Sequence, residues 1–302
     1  MTIPEQHTDR IAAALAETRA IIREENPMAW GIQTTGIGPD IRLCLADDWL
    51  LFEAPLDFNA RGATAGGAFL PVELLQWNAT LPGGAKFGVD ACFNLALRAQ
   101  LPLLEEIDPG PRLLEAWNGL ETGIARFHAR QDPAPPEPAP APAAAGPDMG
   151  TLAGETGWSF TERQDGRIAF ELPSPAGALT ATLQARDGGG LRVWVSLAAL
   201  DDLSTPSRHA LAVLLLRAGW VLRLARPAFA LDGGQTSACL EVVFDSAPLA
   251  AELTQALESL AVGVGLAAAE AKLLCEEQTA REYLTVGTWT PREQVNNNNN
   301  QQ

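Results

Sequence analysis

A proline- and alanine-rich segment near the middle of the chain, Asp132 to Pro147, constrains the fold more than any other feature. Its sequence is DPAPPEPAPAPAAAGP. Each proline fixes φ and removes a backbone donor, so the segment cannot lie inside a helix or a central strand. Such a composition is typical of a semi-rigid, polyproline-like linker. The sequence therefore predicts two units, residues 1–131 and 148–286, joined by this linker and followed by a disordered tail, residues 287–302.

The first unit alternates helical and strand-like segments. Apolar residues at helical spacing predict a first helix over Asp9–Glu25, which ends before Asn26-Pro27. Pro109-Gly110-Pro111 begins a third helix that carries an apolar stripe. Between them we predict strands, a middle helix and a hairpin at Trp30–Thr35, Ile41–Leu45, Trp49–Ala54, Phe69–Ala79, Phe87–Val89 and Leu95–Leu97. The predicted order is helix, three strands, helix, two strands, helix.

After the linker the order nearly repeats. A buried helix is predicted to begin at Ser204-Thr-Pro206, and a last long helix at Ser246-Ala-Pro248. The strands are predicted at Trp158–Arg163, Ile168–Leu172, Leu179–Leu183, Leu191–Leu197, Phe229–Leu231 and Leu240–Phe244. A first helix is not evident in this unit, and the strand at Arg167–Leu172 is expected to be an addition to the pattern of the first unit.

Short matches between the units indicate an internal duplication. Phe87-Gly-Val-Asp90 parallels Phe229-Ala-Leu-Asp232, Pro111 parallels Pro248, and Glu115 parallels Glu252. The shared order on both sides of one linker favours duplication over convergence. We therefore expect an α+β protein of two tandem units, each an antiparallel sheet with helices on one face, in the order α-β-β-β-α-β-β-α. The units are expected to pack as an intramolecular pseudo-dimer, which would make the chain a monomer, with a homodimer as the alternative.

The charge of the chain excludes some classes of partner. It has 21 Lys and Arg against 37 Asp and Glu, a formal net charge of −16. This excess disfavours nucleic acid and anionic membrane surfaces, which need clustered positive charge. The sequence shows neither the apolar segment of a secretory signal nor an apolar run long enough to span a membrane. We therefore expect a cytoplasmic protein.

Motifs for catalysis or metal binding are not evident. The cysteines lie far apart without a CxxC pair, and no histidine has a second ligand at metal spacing. Patterns of P-loop nucleotide sites, serine hydrolases and zinc proteases are missing as well. The cysteines are Cys44, Cys92, Cys239 and Cys275, and the histidines are His7, His128 and His209. We predict no catalytic residue, no cofactor and no metal, and hence a protein that is not an enzyme. A site assembled from distant residues is the alternative.

Trp194 is the one candidate residue for binding a partner. It lies on the strand face opposite the apolar Val193 and Val195. An exposed tryptophan at such a place could anchor a protein partner. Packing beneath a helix or against the other unit is the alternative interpretation.

The segments Leu81–Asp90 and Leu95–Pro102, with the helix Pro111–Ala125, resemble the class I type III secretion chaperone fold that the YbjN-like proteins share. The resemblance covers most of residues 5–130 and, more faintly, residues 156–275, so the fold would be present in two tandem copies. Members of this family normally work as homodimers that bind an extended segment of a secreted protein. The resemblance therefore implies a non-enzymatic module that holds a protein or peptide client. Negative charge favours a basic or neutral client. A structural or regulatory scaffold without a client is the alternative.

Overall fold

The computed structural model describes residues 5–18, 21–26, 29–33, 39–59, 70–104, 107–129, 148–174, 177–186, 189–232 and 234–287. Within these residues the chain forms seven helices and two six-stranded antiparallel sheets, and it is therefore an α+β protein. The predicted linker, residues 132–147, and residues 288–302 of the predicted tail lie outside the described residues.

The first half has four strands before its middle helix. Its elements are α1 (Glu5–Glu17), β1 (Ile21–Asn26), β2 (Ala29–Gln33), β3 (Ile41–Ala46), β4 (Trp49–Asn59), α2 (Leu70–Asn78), β5 (Lys86–Val89), β6 (Asn94–Pro102) and α3 (Pro109–Ala129). The strand order in the sheet is β1-β2-β3-β4-β6-β5, with antiparallel neighbours throughout.

The second half repeats this arrangement. Its elements are α4 (Met149–Glu155), β7 (Phe160–Glu162), β8 (Ile168–Leu172), β9 (Leu179–Ala185), β10 (Leu191–Ala199), α5 (Thr205–Val221), β11 (Arg226–Asp232), β12 (Gln235–Phe244), α6 (Ala250–Leu274) and α7 (Glu277–Gly287). The strand order is β7-β8-β9-β10-β12-β11, the same as in the first sheet. Four strands precede the middle helix in both halves, so the predicted order α-β-β-β-α-β-β-α is one strand short.

The missing strand of the first half lies inside the predicted first helix. The helix ends where the hydroxyl and the backbone N–H of Thr18 both donate to the oxygen of Leu15. The chain then continues as β1, in which Ile22 pairs with Ile32 of β2. Branched side chains such as Ile21 and Ile22 favour strands, and pairing with β2, the next strand in the chain, decides between the two structures.

Two expectations for the second half are also wrong. A first helix does exist, because Asp148 accepts hydrogen bonds from the backbone of Gly150 and Thr151 and so begins the short helix α4. The strand at Arg167–Leu172 corresponds to β8 and is not an addition, since the first half also has four strands at this point. The predicted start of α5 is confirmed: Ser204 caps the helix and Pro206 lies in its first turn.

The last long helix of each half packs closely on its own sheet. Gly123 of α3 lies against Leu97 of β6, and Gly263 of α6 lies against Leu240 of β12. A Cβ atom at these glycines would come within 2.5 Å and 2.6 Å of the leucine side chains, respectively. Both contacts need a glycine, and they place α3 and α6 in the same way on the two sheets.

The middle helices cross to the opposite half. Helix α5 packs on β5, where a Cβ at Gly88 would lie 3.2 Å from the backbone nitrogen of Trp220. Helix α2 packs on β11, and α2 and α5 also contact each other. The first sheet therefore has α3 on one face and α5 of the other half on the opposite face. The second sheet likewise has α6 on one face and α2 of the other half on the opposite face. The expectation of helices on one face only is incomplete.

Candidate functional site

Two basic side chains of the first sheet, Lys86 and Arg98, bind the C-terminal end of helix α5 in the second half. Lys86 of β5 donates through Nζ to the backbone oxygens of Leu222 and Ala225, at 2.5 Å and 2.8 Å. Arg98 of β6 donates to the backbone oxygen of Trp220 and lies over its ring. Carbonyl oxygens at a helix C-terminus attract positive charge. Burial is the main cause that lowers the pKa of Lys86 well below its ordinary value, and the nearby arginines add to it.

A buried arginine of the second sheet does the same for helix α2. Arg226 of β11 donates through Nη1 to the backbone oxygen of Leu81, just beyond α2, at 2.5 Å. Its Nε donates to Oε1 of Glu241 at 2.8 Å, and Arg192 binds the other carboxylate oxygen at 2.6 Å. Lys86 and Arg226 each begin the terminal strand that follows the middle helix. Each half therefore stabilises the end of the other half's middle helix with a cation.

An asparagine links the two terminal strands. The side-chain nitrogen of Asn78 donates to the oxygens of Phe87 and Pro227, at 3.3 Å and 2.9 Å, and its oxygen accepts from the Phe87 nitrogen at 2.7 Å. Asn78 is fully buried. A buried polar network whose groups are satisfied favours one unique arrangement, so the two halves have a specific relative position.

Arg112 of α3 joins the two long helices. Its Nε donates to Glu252 of α6 at 2.8 Å, and its Nη1 donates to Glu115 at 2.8 Å. The hydroxyl of Ser246 also accepts from Nη1 at 2.8 Å. Glu115 and Glu252, which the sequence match pairs with each other, therefore bind one guanidinium group.

Trp194 is not exposed, contrary to the role of a surface anchor. Its side chain is 2% exposed and packs with Ala228, Ala230 and Cys239. Ala79, at the end of α2, packs against this cluster. The guanidinium carbon of Arg192 lies 4.5 Å from the ring centroid. The ring is therefore buried in the protein, as in the packing alternative.

Each sheet has one terminal strand that contacts the other half and one terminal strand at its far end, away from this interface. In the described part of the chain β5 and β11 contact the opposite middle helix, whereas β1 and β7 are the other terminal strands. All three residues of β7 are exposed, among them Phe160, whose side chain is 36% exposed. Ile21 of β1 is 55% exposed. Apolar side chains thus reach solvent on both distal strands.

A groove with a volume of about 750 Å³ lies beside β7. Its walls are the segment between α4 and β7, the end of β8, and α6. They consist of Thr156, Gly157, Trp158, Ser159, Glu171, Pro173, Ser174, Ala178, Thr254 and Glu258. Trp158 is half-buried, while Glu171 and Glu258 are exposed. Among the described residues, no ion pair within 4.0 Å joins either carboxylate to a basic side chain.

Helix α6 extends beyond this groove and carries two exposed apolar residues there, Val262 and Leu266, which together form an apolar stripe. Thr254, Glu258, Val262 and Leu266 recur at four-residue spacing and so lie along one side of the helix. Val262 and Leu266 are 60% and 55% exposed. The exposed positions of α3 are instead largely polar and include Asn118, Glu121 and His128. The apolar stripe is therefore not required by the fold.

The described cysteines and histidines form no cluster. Cys92 and His128 are exposed, and burial raises the pKa of the Cys239 thiol to about 12 and lowers that of His209. No three His, Cys, Asp or Glu side chains that could hold a metal ion come together within the described ranges. The side chain of His7 lies outside them.

Comparison with known proteins adds no assignment. No family model matches the chain, and no curated protein matches its sequence. Among the helices in the described ranges, none is both long and apolar enough to cross a membrane. The groove is therefore the candidate site on its geometry alone. Sequence reasoning missed Glu171 and Glu258 because neither belongs to a local motif and Glu258 lies far from Trp158 in the chain.

Proposed function

We propose that this chain is a non-enzymatic module that binds an extended segment of a client polypeptide, like the type III secretion chaperones that it resembles. The observation that carries the proposal is the pair of distal strands, β1 and β7, which end the two sheets away from the interface. A terminal strand can accept an extended segment as an additional strand. Exposed Ile21 and Phe160 offer apolar contacts to the side chains of such a segment.

The contacts between the halves support a second part of the proposal, an intramolecular pseudo-dimer. Each middle helix packs on the opposite sheet, and each is ended by a cation from that sheet. Exchange of equivalent contacts is typical of a two-fold interface between identical subunits. One chain thus supplies both partners of the dimer that the resembled family forms from two chains, and we expect a monomer in solution.

Selection of phage-displayed random peptides on the full chain tests the binding function. We expect binding peptides, and we expect bound peptide to slow hydrogen exchange at residues 160–162 or 21–26. A scaffold without a client predicts that no peptide is selected. The proposal is wrong if nothing is selected, or if every selected peptide leaves both distal strands unprotected.

A further inference from the structure

The groove beside β7 has a chemistry that defines one class of client. This inference rests on the proposed function, since it takes an extended segment to lie at that end of the second sheet. We propose that the groove and the apolar stripe of α6 bind an extended segment that has a lysine or arginine at one position and apolar residues two and four positions away. The basic side chain lies in the groove, and the apolar side chains lie on Val262 and Leu266.

The groove walls match a cation. Trp158 lines the groove, and an indole ring attracts ammonium and guanidinium groups through its π-face. Glu171 and Glu258 line the same groove, and among the described residues neither carboxylate forms an ion pair with a base. A basic side chain in the groove would thus lie near a tryptophan and two glutamates, neither of which forms an ion pair with a basic side chain of the described chain. The volume of about 750 Å³ is ample for it.

The spacing along α6 matches an extended chain. A helix rises about 1.5 Å per residue, so Glu258, Val262 and Leu266 follow one another at steps of about 6 Å. In an extended segment, side chains on one face recur every second residue, at steps of about 6.6 Å. A basic residue at one position and apolar residues two and four positions away can therefore contact these three side chains in order.

The matching helix of the first half makes a natural control. Glu121 of α3 is an exposed glutamate on the corresponding helix, and like Glu258 it directly follows a buried leucine. The exposed face of α3 also carries Asn118 and His128, which are polar. Among the described residues of the two long helices, exposed Val262 and Leu266 belong to α6 and have no exposed leucine or valine counterpart on α3.

Fluorescence anisotropy with labelled synthetic peptides tests the inference on the full chain. The probes are Ser-Lys-Ser-Val-Ser-Leu-Ser, the same residues in reverse order, and versions of both with glutamate in place of lysine. We expect one lysine peptide to bind about tenfold more tightly than its glutamate version, with a preference that falls as salt is added.

Variants assign the preference to the groove. We expect Glu258→Gln to reduce the preference for lysine by about tenfold, as expected for loss of a charge pair, whereas Glu121→Gln leaves it unchanged. Leu266→Ser should weaken the lysine and glutamate peptides equally. Equal affinity for the two versions, no binding by any of them, or equal effects of Glu258→Gln and Glu121→Gln would overturn the inference. Phage-selected peptides that protect β7 but lack basic residues would overturn this specificity while leaving the proposed binding function intact.

Discussion

Arg112 and Glu252 form an ion pair between the two halves, and each lies eleven residues before the glycine that places its helix on a sheet. Because Gly123 and Gly263 make the same contact, Arg112 and Glu252 occupy matching positions. The sequence match instead pairs Glu115 with Glu252, which is almost one helical turn away. Residue identity therefore finds the duplication but misplaces its register along the helices.

The buried Arg226 is expected to be a major source of stability. Arg226→Met removes the donor to Leu81 and one of the two arginines on Glu241, so buried acceptors lose partners. We expect the free energy of unfolding, measured by urea denaturation, to fall by about 3 kcal/mol. Arg223→Met serves as the control, since Arg223 and Asp47 form an exposed pair worth about 0.5 kcal/mol. Equal losses would contradict a special role for the buried arginine.

Two adjacent glycines provide a matched pair of substitutions. Gly83 and Gly84 both have positive φ, +61° and +68°, but a Cβ at Gly83 would lie 1.9 Å from the backbone oxygen of Glu115. No atom lies within 4 Å of a Cβ at Gly84. We expect Gly84→Ala to cost about 1 kcal/mol from backbone strain, and Gly83→Ala to cost about 3 kcal/mol because overpacking adds to that strain. Urea denaturation measures both, and equal costs would contradict the close contact.

Cys239 makes stability depend on pH in the alkaline range. Burial raises the pKa of its thiol from 9.0 to about 12, so the folded chain keeps a proton that the unfolded chain loses. Stability from this group is complete below pH 9 and falls as pH rises toward 12, with a slope that approaches about 1.4 kcal/mol per unit.

The measurement compares Cys239→Ala with the natural chain by urea denaturation across this range. The difference in free energy between the two proteins should shrink steadily above pH 9. Lys86, whose pKa is lowered, contributes the opposite slope below pH 10.5, but it is present in both proteins and cancels. A constant difference for Cys239→Ala would refute the prediction.

Substitutions at Trp194 and Trp158 are expected to have different effects on the free energy of unfolding and on peptide binding. Trp194→Ala removes a buried ring between the halves and should lower the free energy of unfolding by about 4 kcal/mol. The folded fraction should bind the lysine peptides as before. Trp158→Ala, at a half-buried ring in the groove, should cost less stability and weaken peptide binding. Urea denaturation and anisotropy on both variants test this, and the reverse pattern would assign binding to Trp194.

The oligomeric state checks the pseudo-dimer. If the interface lies within one chain, the midpoint of thermal unfolding should not change with protein concentration, in contrast to an obligate homodimer. Light scattering should give the mass of one chain, 32.1 kDa. A mass of two chains at micromolar concentration, together with a midpoint that rises with concentration, would contradict the prediction.

Local sequence signals predict most of the elements but not their partners. The alternation in β10, the cap at Ser204 and the hairpins of both halves are local patterns, and the structure has them where they were expected. The strand β1 was mistaken for helix because only its pairing with β2 decides its structure. Seven residues were too few for α4 to show a helical period.

The candidate site was harder to predict for a related reason. Trp194 looked exposed because its strand alternates, but its ring packs with Ala228, Ala230 and Cys239, and Ala79 of the other half packs against this cluster. The hairpin of β7 and β8 brings Trp158 near Glu171, but Glu258 joins them only through the packing of α6 near the end of β8. Contacts between distant segments are not visible in local composition, and both the error and the omission follow from that.

The ion pair between Arg112 and Glu252 also shows what the presence of both units on one chain permits. In a dimer of identical chains, two matching positions that contact each other across the two-fold axis must hold the same residue. An arginine at such a position would therefore contact an arginine. In this chain the two units differ in sequence, and opposite charges face each other. The same freedom places Glu241 beside Arg226 in one sheet and Arg98 beside Lys86 in the other. Two units on one chain thus escape the symmetry that identical subunits, encoded by one gene, would impose on their interface.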